Sequence, residues 1–103
     1  MGFFVKTEKF TSSSQMLLRE KRAEVINNHR NWISELQASG VFILSGYIVN
    51  KNKEPGGGGL LILEAKDYLT AKKIIENDPM IKNNLVIWDL QEWIPIDGSK
   101  PKF

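Results

Sequence analysis

The hydrophobic and polar positions along the chain change period several times, and each change marks a border between elements. Gly2–Phe10 alternates loosely, which predicts a strand, since alternation places one set of side chains on each face of a sheet. A long helical pattern follows the serines at 12–14 and stops at Gly40, a residue type that commonly terminates helices. One helix of that length would overhang the strands, so the part before Glu20 is either its start or a separate turn or loop.

The second half of the chain predicts more strands and shorter helical segments. Residues 41–49 are rich in the β-branched and aromatic side chains that strands favour. Residues 50–58 are predicted to be a polar loop, and the continuous apolar run that follows is typical of a strand buried on both faces. The remaining elements, in chain order, are a strand over 60–65, a helix over 67–77, a helical turn beginning at Asp78–Pro79 and a last strand over 85–96.

The resulting order, β-α-β-β-α-β with a short helical turn before the last strand, is that of the ferredoxin-like fold. It predicts an α+β domain with a four-stranded antiparallel sheet and both main helices on one face. The other face needs a cover, which a second copy of the sheet would supply. Candidates for that face are the outward-pointing members of Phe3 or Phe4, Trp88, Leu90 and Trp93. We expect one domain over residues 1–97 and a flexible C-terminal tail over 98–103.

Composition and charge narrow the classes of function. Among 103 residues the formal net charge is +2, and basic and acidic side chains are interleaved without a basic face, so no nucleic-acid partner is expected. No apolar run is long enough to span a membrane and the N-terminus does not resemble a signal peptide, so we expect a cytoplasmic location. There is no cysteine, and one histidine with scattered carboxylates predicts neither a metal site nor a cofactor.

The single histidine, His29, is the side chain best suited to proton transfer near neutral pH. It lies four residues after Val25 and three before Trp32, on the apolar stripe of the long helix, where an imidazole needs hydrogen-bond partners. Asp78 is the partner that we expect, because its helical turn and the middle of the long helix can approach one rim of the sheet. The alternatives are a histidine satisfied within the core and an aspartate that only caps a helix.

Residues over most of the chain resemble the YciI-like (YCII-related) family of the dimeric α/β-barrel superfamily. The matching features are the helix with Arg22 and His29, the strand 42–47, the glycine-rich approach to 60–63, the helix 71–75, the Asp78–Pro79 step and the closing residues 92–95. The resemblance implies a homodimer whose sheets pack face to face, with His29 and Asp78 in a pocket. It also implies enzyme-like sites, a few of which act on aromatic rings, for instance by removing chloride from a hydroxylated chloro-aromatic.

Four more side chains are candidates for binding a substrate. Arg22, two helical turns before His29, would clamp a carboxylate or phenolate, unless it is an ordinary surface arginine. Ser45 would donate a hydrogen bond near the pocket, unless it is an ordinary strand serine beside a glycine. Tyr47 and Met80 stand where relatives often have proline and an aromatic residue, so they would add a phenol and an apolar wall. The glycine run 56–59 lacks the rest of a phosphate-loop motif and is interpreted as a mobile hairpin loop or as a lid over the pocket.

Three hypotheses follow. The first is a homodimeric enzyme in which His29 is the general acid/base and Asp78 orients it, acting on a small anionic or aromatic molecule in a lyase, isomerase, dehydrochlorinase or hydrolase-like reaction. The second is a non-catalytic dimer that binds or senses a metabolite in the same pocket. The third is a structural dimer in which His29 is fully enclosed and has no cavity beside it.

Overall fold

The computed structural model describes residues 1–99 (for Ser13 and Gln15, the backbone), which form a four-stranded antiparallel sheet with helices on one face. The elements are β1 (Gly2–Phe10), α1 (Ser12–Met16), α2 (Arg19–Ala38), β2 (Ile43–Val49), β3 (Pro55–Ala65), α3 (Tyr68–Ile75), α4 (Pro79–Lys82) and β4 (Val86–Trp93). The strands lie side by side in the order β2-β3-β1-β4, and each neighbouring pair is antiparallel. The predicted α+β, ferredoxin-like architecture is confirmed.

Alternation along the strands decides which side chains face the helices. Phe4 of β1 stands opposite Leu63 of β3, and both are buried. The side chains that join them in the core include, from the strands, Ile43, Leu61 and Leu90, and from the helices, Trp32, Ile33, Leu36, Ala71 and Ile75. Because burying one such large apolar side chain contributes about 1.5–3 kcal/mol, this layer holds α2 and α3 against the sheet.

The long helical pattern is divided into two helices, which settles the question left open before Glu20. Thr11, not one of the serines, caps α1: its hydroxyl accepts a hydrogen bond from the Ser14 backbone N–H. The backbone is extended at Leu17 and Leu18, and α2 begins after this break. Of the helices in residues 1–99, none is long and apolar enough to cross a membrane.

The glycine run belongs to a strand, so the predicted loop over residues 50–58 is too long. The turn ends at Glu54, whose carbonyl accepts a hydrogen bond from the Asn50 N–H, and β3 begins at Pro55. Gly59 stands opposite both Glu8 of β1 and Tyr47 of β2. The interpretation of this run as a mobile hairpin loop is therefore wrong for Pro55 onward, where the glycines are part of strand β3.

Two positions of this run require glycine, because β3 passes very close to β1 there. A Cβ at Gly58 would collide with the backbone oxygen of Glu8, and Gly58 also has φ +88°, a conformation that side-chain-bearing residues rarely adopt. A Cβ at Gly59 would lie 2.9 Å from the Glu8 side chain. The missing side chains thus make room for the Glu8 carboxylate instead of providing flexibility.

The second face of the sheet is open in the single chain. Phe3 and Trp93 lie on it, as expected, and their rings are 6.4 Å apart, whereas Phe4, Trp88 and Leu90 face the helices. The exposed apolar side chains of this face are Leu44, Ile48, Leu60, Ile87 and Trp93. The prediction that the third strand is buried on both faces is therefore wrong for one chain, because only alternate residues of β3 meet the helices.

We expect Leu63→Ala to lower the free energy of unfolding by about 2–5 kcal/mol, because Leu63 has no exposed surface and truncation leaves a cavity. The matched control is Leu69→Ala on α3, where the side chain is 60% exposed and the expected change is about 0.5 kcal/mol or less. Urea unfolding followed by tryptophan fluorescence measures both values. Equal losses in the two variants would contradict the assignment of the buried face.

Candidate functional site

His29 lies in the middle of α2, on the side that faces the sheet. Val25, one turn earlier, is buried, and Trp32, almost one turn later, packs against the core. The rings of His29 and Trp32 are 5.7 Å apart. The His29 side chain is 12% exposed, so the helical stripe carries the imidazole to the rim of the core, where solvent still reaches it.

Asp78 approaches His29 from the short helix α4. It is the N-cap of that helix, with Pro79 at the first helical position, as predicted from the sequence. Its Oδ1 accepts the backbone N–H of Met80 at 2.9 Å and lies 2.7 Å from Nδ1 of His29. The structure therefore brings together an imidazole and a carboxylate 49 positions apart in the chain, and the carboxylate is fully enclosed.

The second oxygen of Asp78 is held by a lysine that the sequence interpretation missed. Nζ of Lys6 lies 2.9 Å from Asp78 Oδ2 and 2.5 Å from Oε1 of Glu8, and the Lys6 side chain has no exposed surface. The sequence does contain a signal for this lysine. Lys6 is two residues after Phe4 in β1, so both side chains point to the helix-covered face. A lysine at such a position requires an anionic partner, since lysine is almost never fully buried unpaired.

Opposing influences act on the pKa of Asp78. Burial is the largest single influence and raises it, but the hydrogen bond from His29 and the positive charge of Lys6 act the other way, and together they hold the pKa of Asp78 below its ordinary value. The carboxylate is therefore ionised at neutral pH and can only accept hydrogen bonds. It follows that Nδ1 of His29 carries hydrogen in this contact.

The other imidazole nitrogen faces strand β2. Nε2 of His29 lies 3.2 Å from Oγ of Ser45. When the imidazole is neutral, with its hydrogen on Nδ1, Nε2 has a free lone pair and the serine hydroxyl donates to it. Nδ1 is thus held by the enclosed carboxylate of Asp78, whereas Nε2 can exchange the Ser45 hydroxyl for another hydrogen-bond partner.

A cavity of about 350 Å³ opens beside this imidazole. Its apolar surface includes Phe10, Ile26 and Met80, and its polar side chains are Glu8, His29, Arg30, Ser45 and Tyr47. The glycines of β3 form part of the wall, where they expose backbone instead of side chains. The volume is at the lower end of the range for small-molecule sites, which is about 300–1,000 Å³.

Three of the four predicted substrate contacts, Ser45, Tyr47 and Met80, lie at this cavity, and Arg22 does not. The Nη2 group of Arg22 donates to the backbone oxygen of Ser14 at 2.8 Å, which ties α1 to α2. This geometry favours the alternative, a structural arginine. The guanidinium at the cavity belongs to Arg30, the residue after His29, which helical spacing alone did not distinguish from its neighbours.

The site offers an imidazole, two carboxylates, a hydroxyl, a phenol and a guanidinium for chemistry. Within residues 1–99, no group of three or more histidine, aspartate or glutamate side chains is arranged to share a metal ion. The groups that are present can move a proton and can hold an anionic or hydroxylated ligand by hydrogen bonds.

Comparison with known proteins identifies the class of protein. The family model of the YCII-related domain matches residues 3–94, and the chain therefore belongs to that family, as its sequence features indicate. Its structure is similar to that of 5-chloro-2-hydroxyhydroquinone dehydrochlorinase (TftG) from Burkholderia phenoliruptrix AC1100, solved in complex with 2,5-dihydroxybenzoquinone. The TM-score is 0.60 at 22% identity, over 89% of this chain and 93% of that chain, which shows a shared fold. No curated protein sequence is significantly similar to the chain.

The lowered pKa of Asp78 predicts how stability depends on pH. Because the folded-state pKa lies below the unfolded value, about 3.9, the contribution of the ionised carboxylate is complete above that value. It is lost as the pH falls through the folded-state pKa. We therefore expect the difference in unfolding free energy between the wild type and Asp78→Asn to shrink in acid.

Urea unfolding of both proteins at several pH values between about 3 and 6 measures this difference. Asp97→Asn, in the segment after β4, is the control for removing one carboxylate from the chain. A difference between wild type and Asp78→Asn that stays constant across the range would show that ionisation of Asp78 adds nothing to stability.

Proposed function

We propose that the chain is a small-molecule enzyme in which His29 is the general acid/base and Asp78 orients it. The observation that supports this most directly is the 2.7 Å contact from Nδ1 to Asp78, with Nε2 at the wall of a cavity of about 350 Å³. A histidine that served only the core would have both nitrogens enclosed. The open side of this imidazole favours a role in chemistry.

The proposed proton transfer begins when a substrate displaces the Ser45 hydroxyl from Nε2. Nε2 then takes a proton from the substrate, and the resulting imidazolium is stabilised by the ionised Asp78. The same nitrogen returns the proton at a later step or releases it to water. This sequence suits an elimination or lyase-type reaction, in which a base removes a proton as a bond to a leaving group breaks. It also suits an isomerisation, in which the proton returns to a different atom of the same molecule.

The cavity favours an aromatic or otherwise flat molecule that carries oxygen substituents. Its apolar wall, formed by Phe10, Ile26 and Met80, would cover a ring face. Tyr47 and Arg30 would hold a hydroxyl, phenolate or carboxylate at the edge of that ring. The dehydrochlorinase of similar fold acts on a chlorinated hydroxyhydroquinone, so the loss of a proton and a chloride ion from such a ring is the first reaction to test.

We expect His29→Gln to reduce turnover by about 10²–10⁴-fold, because the variant lacks the group that accepts the proton. Chloride release from 5-chloro-2-hydroxyhydroquinone measures turnover, and the thermal shift caused by 2,5-dihydroxybenzoquinone measures binding. Asn28→Gln is the matched control: it introduces the same side chain at the neighbouring, exposed position of α2, where no change is expected.

Two outcomes would count against an enzymatic role. If folded His29→Gln turned over a substrate at the wild-type rate, His29 would not be the acid/base. If the wild type bound the quinone at this cavity but converted neither that substrate nor a wider set of hydroxylated aromatic and anionic compounds, a binding or sensor protein would be the better hypothesis.

We also infer that two chains associate through the open face of the sheet, as the resemblance to the dimeric α/β-barrel superfamily implies. The apolar side chains of that face include Ile87, which is 69% exposed, and Trp93. Exposed apolar side chains grouped on one face of a sheet are typical of a surface that a partner covers, because burying them against a second copy removes apolar area from water. The same face would pack against itself across a two-fold axis.

Sedimentation equilibrium tests this association. We expect the wild type to sediment at twice the chain mass of 11.8 kDa, and Ile87→Glu to sediment as a single chain, because a charge would be buried in the interface. Leu69→Glu places the same charge on α3, away from the open face, and is expected to leave the dimer intact. A wild type that is monomeric at micromolar concentration would contradict the inference.

A further inference from the structure

We propose that Lys6 is a positioning residue of the site, and that its ammonium holds Asp78 in the one orientation that keeps a carboxylate oxygen for His29. The proposal extends the function proposed above, because it concerns the same imidazole. Lys6 is the one fully enclosed ammonium within residues 1–99, and its own side chain does not line the cavity. Its effect on chemistry would therefore pass through Asp78.

The position of Lys6 in the sheet limits the groups that its ammonium can contact. It lies in the middle of β1, and its cross-strand neighbours on the two sides are Leu61 and Leu90, both buried. These neighbours offer no hydrogen-bond acceptor in their side chains. The ammonium is satisfied by two carboxylates, Asp78 and Glu8, which lie 2.9 Å and 2.5 Å away.

The two oxygens of Asp78 have different tasks. Oδ1 accepts from His29 and from the backbone N–H of Met80, while Oδ2 accepts from Lys6. Because a carboxylate is planar, engaging both oxygens stops rotation of the group. Without Lys6, Oδ2 would be a buried acceptor with no partner in the described part of the chain, and the carboxyl would take up a proton or turn away from the imidazole.

Lys6 balances part of the negative charge that the carboxylates place near the imidazole. The charged or titratable groups that face Asp78 are Lys6 and, beyond it, Glu8 from β1, and His29 from α2. When the imidazole is neutral, two carboxylates and one ammonium leave a single negative charge in the cluster. A proton that arrives at Nε2 removes that charge. Without Lys6 the resting cluster would hold two negative charges in a largely enclosed space, and the pKa of Asp78 would rise.

A purely structural lysine, which only joined β1 to α4, would affect stability alone. A positioning lysine would also determine the ionisation of Asp78 and the tautomer of His29. Nuclear magnetic resonance reports both quantities directly: the ¹³C signal of the Asp78 carboxyl follows its protonation, and the ¹⁵N signals of the imidazole follow the location of its hydrogen. With one histidine in the chain, the imidazole signals need no assignment.

In Lys6→Met we expect the titration of the Asp78 carboxyl to move upward by about one to three pH units, because a close positive charge is lost. With Oδ2 unpaired, the carboxylate can also turn away from the imidazole, so in the neutral ring the share of the hydrogen that lies on Nδ1 should fall. Lys9→Met makes the same chemical change three residues along β1, at an exposed position on the other face, and should leave both signals as in the wild type.

If Lys6→Met kept the wild-type titration of Asp78 and the wild-type imidazole spectrum, the proposal would be wrong. If the variant did not fold, the wild type labelled with ¹⁵N at lysine Nζ decides the matter. The Nζ signal of Lys6 should then shift at the pH where Asp78 titrates, and a signal that stays constant would overturn the proposal. None of these measurements needs turnover, so a failed search for a substrate would count against the enzymatic role and not against Lys6.

Discussion

The enclosed carboxylate of Asp78 is the group whose requirements constrain the rest of the molecule. Removing an ion of this size from water costs several kcal/mol unless it is paired and hydrogen-bonded. Three elements supply what it needs: β1 gives the ammonium of Lys6, α2 gives the imidazole of His29, and α4 gives the backbone N–H of Met80. The three must meet at one point, and residues close to it in the chain, Val25 of α2 and Met80 of α4, belong to one buried apolar cluster with Leu85 and Val86.

The glycines of β3 connect this ion cluster to the cavity. Glu8 can share the ammonium of Lys6 because Gly59, its partner across the strands, has no side chain to occupy the same space. The same absence of side chains leaves the cavity open beside His29, with bare backbone along one wall. One local feature of the sequence therefore serves both the pairing of two strands and the volume available to a ligand.

Local sequence patterns are sufficient to predict the order of the elements. They are insufficient for features that depend on contacts between residues far apart in the chain. Strand alternation and helical spacing predicted the α+β fold and carried His29 to the rim of the core, because both depend on residues close together in sequence. The glycine run was interpreted as a loop, since its close pairing with Glu8 is not visible locally. Lys6 was overlooked because its partner, Asp78, is 72 positions away.

The two arginines near His29 show a further limit of predicting a site from helical spacing. Arg22 is seven residues before His29 and so shares its face, whereas Arg30 is adjacent in sequence and points elsewhere on an ideal helix. The cavity lies toward Arg30, because β2 and the glycines of β3 bound it on that side. Arg22 instead meets the backbone of α1 at Ser14, a contact that exists only because the helical pattern breaks after Met16.

The imidazole is held rigidly on one side and loosely on the other, and its two nitrogens meet different parts of the molecule. Nδ1 meets an enclosed carboxylate whose partners come from the central strand β1 and from two helices, so a positive charge formed on the ring is stabilised without movement of heavy atoms. Nε2 meets Ser45 on β2, an edge strand, and Tyr47 beside it is 71% exposed. Under the proposed function, substitutions on β2 would change which molecule is recognised and would leave the buried charges around Asp78 in place.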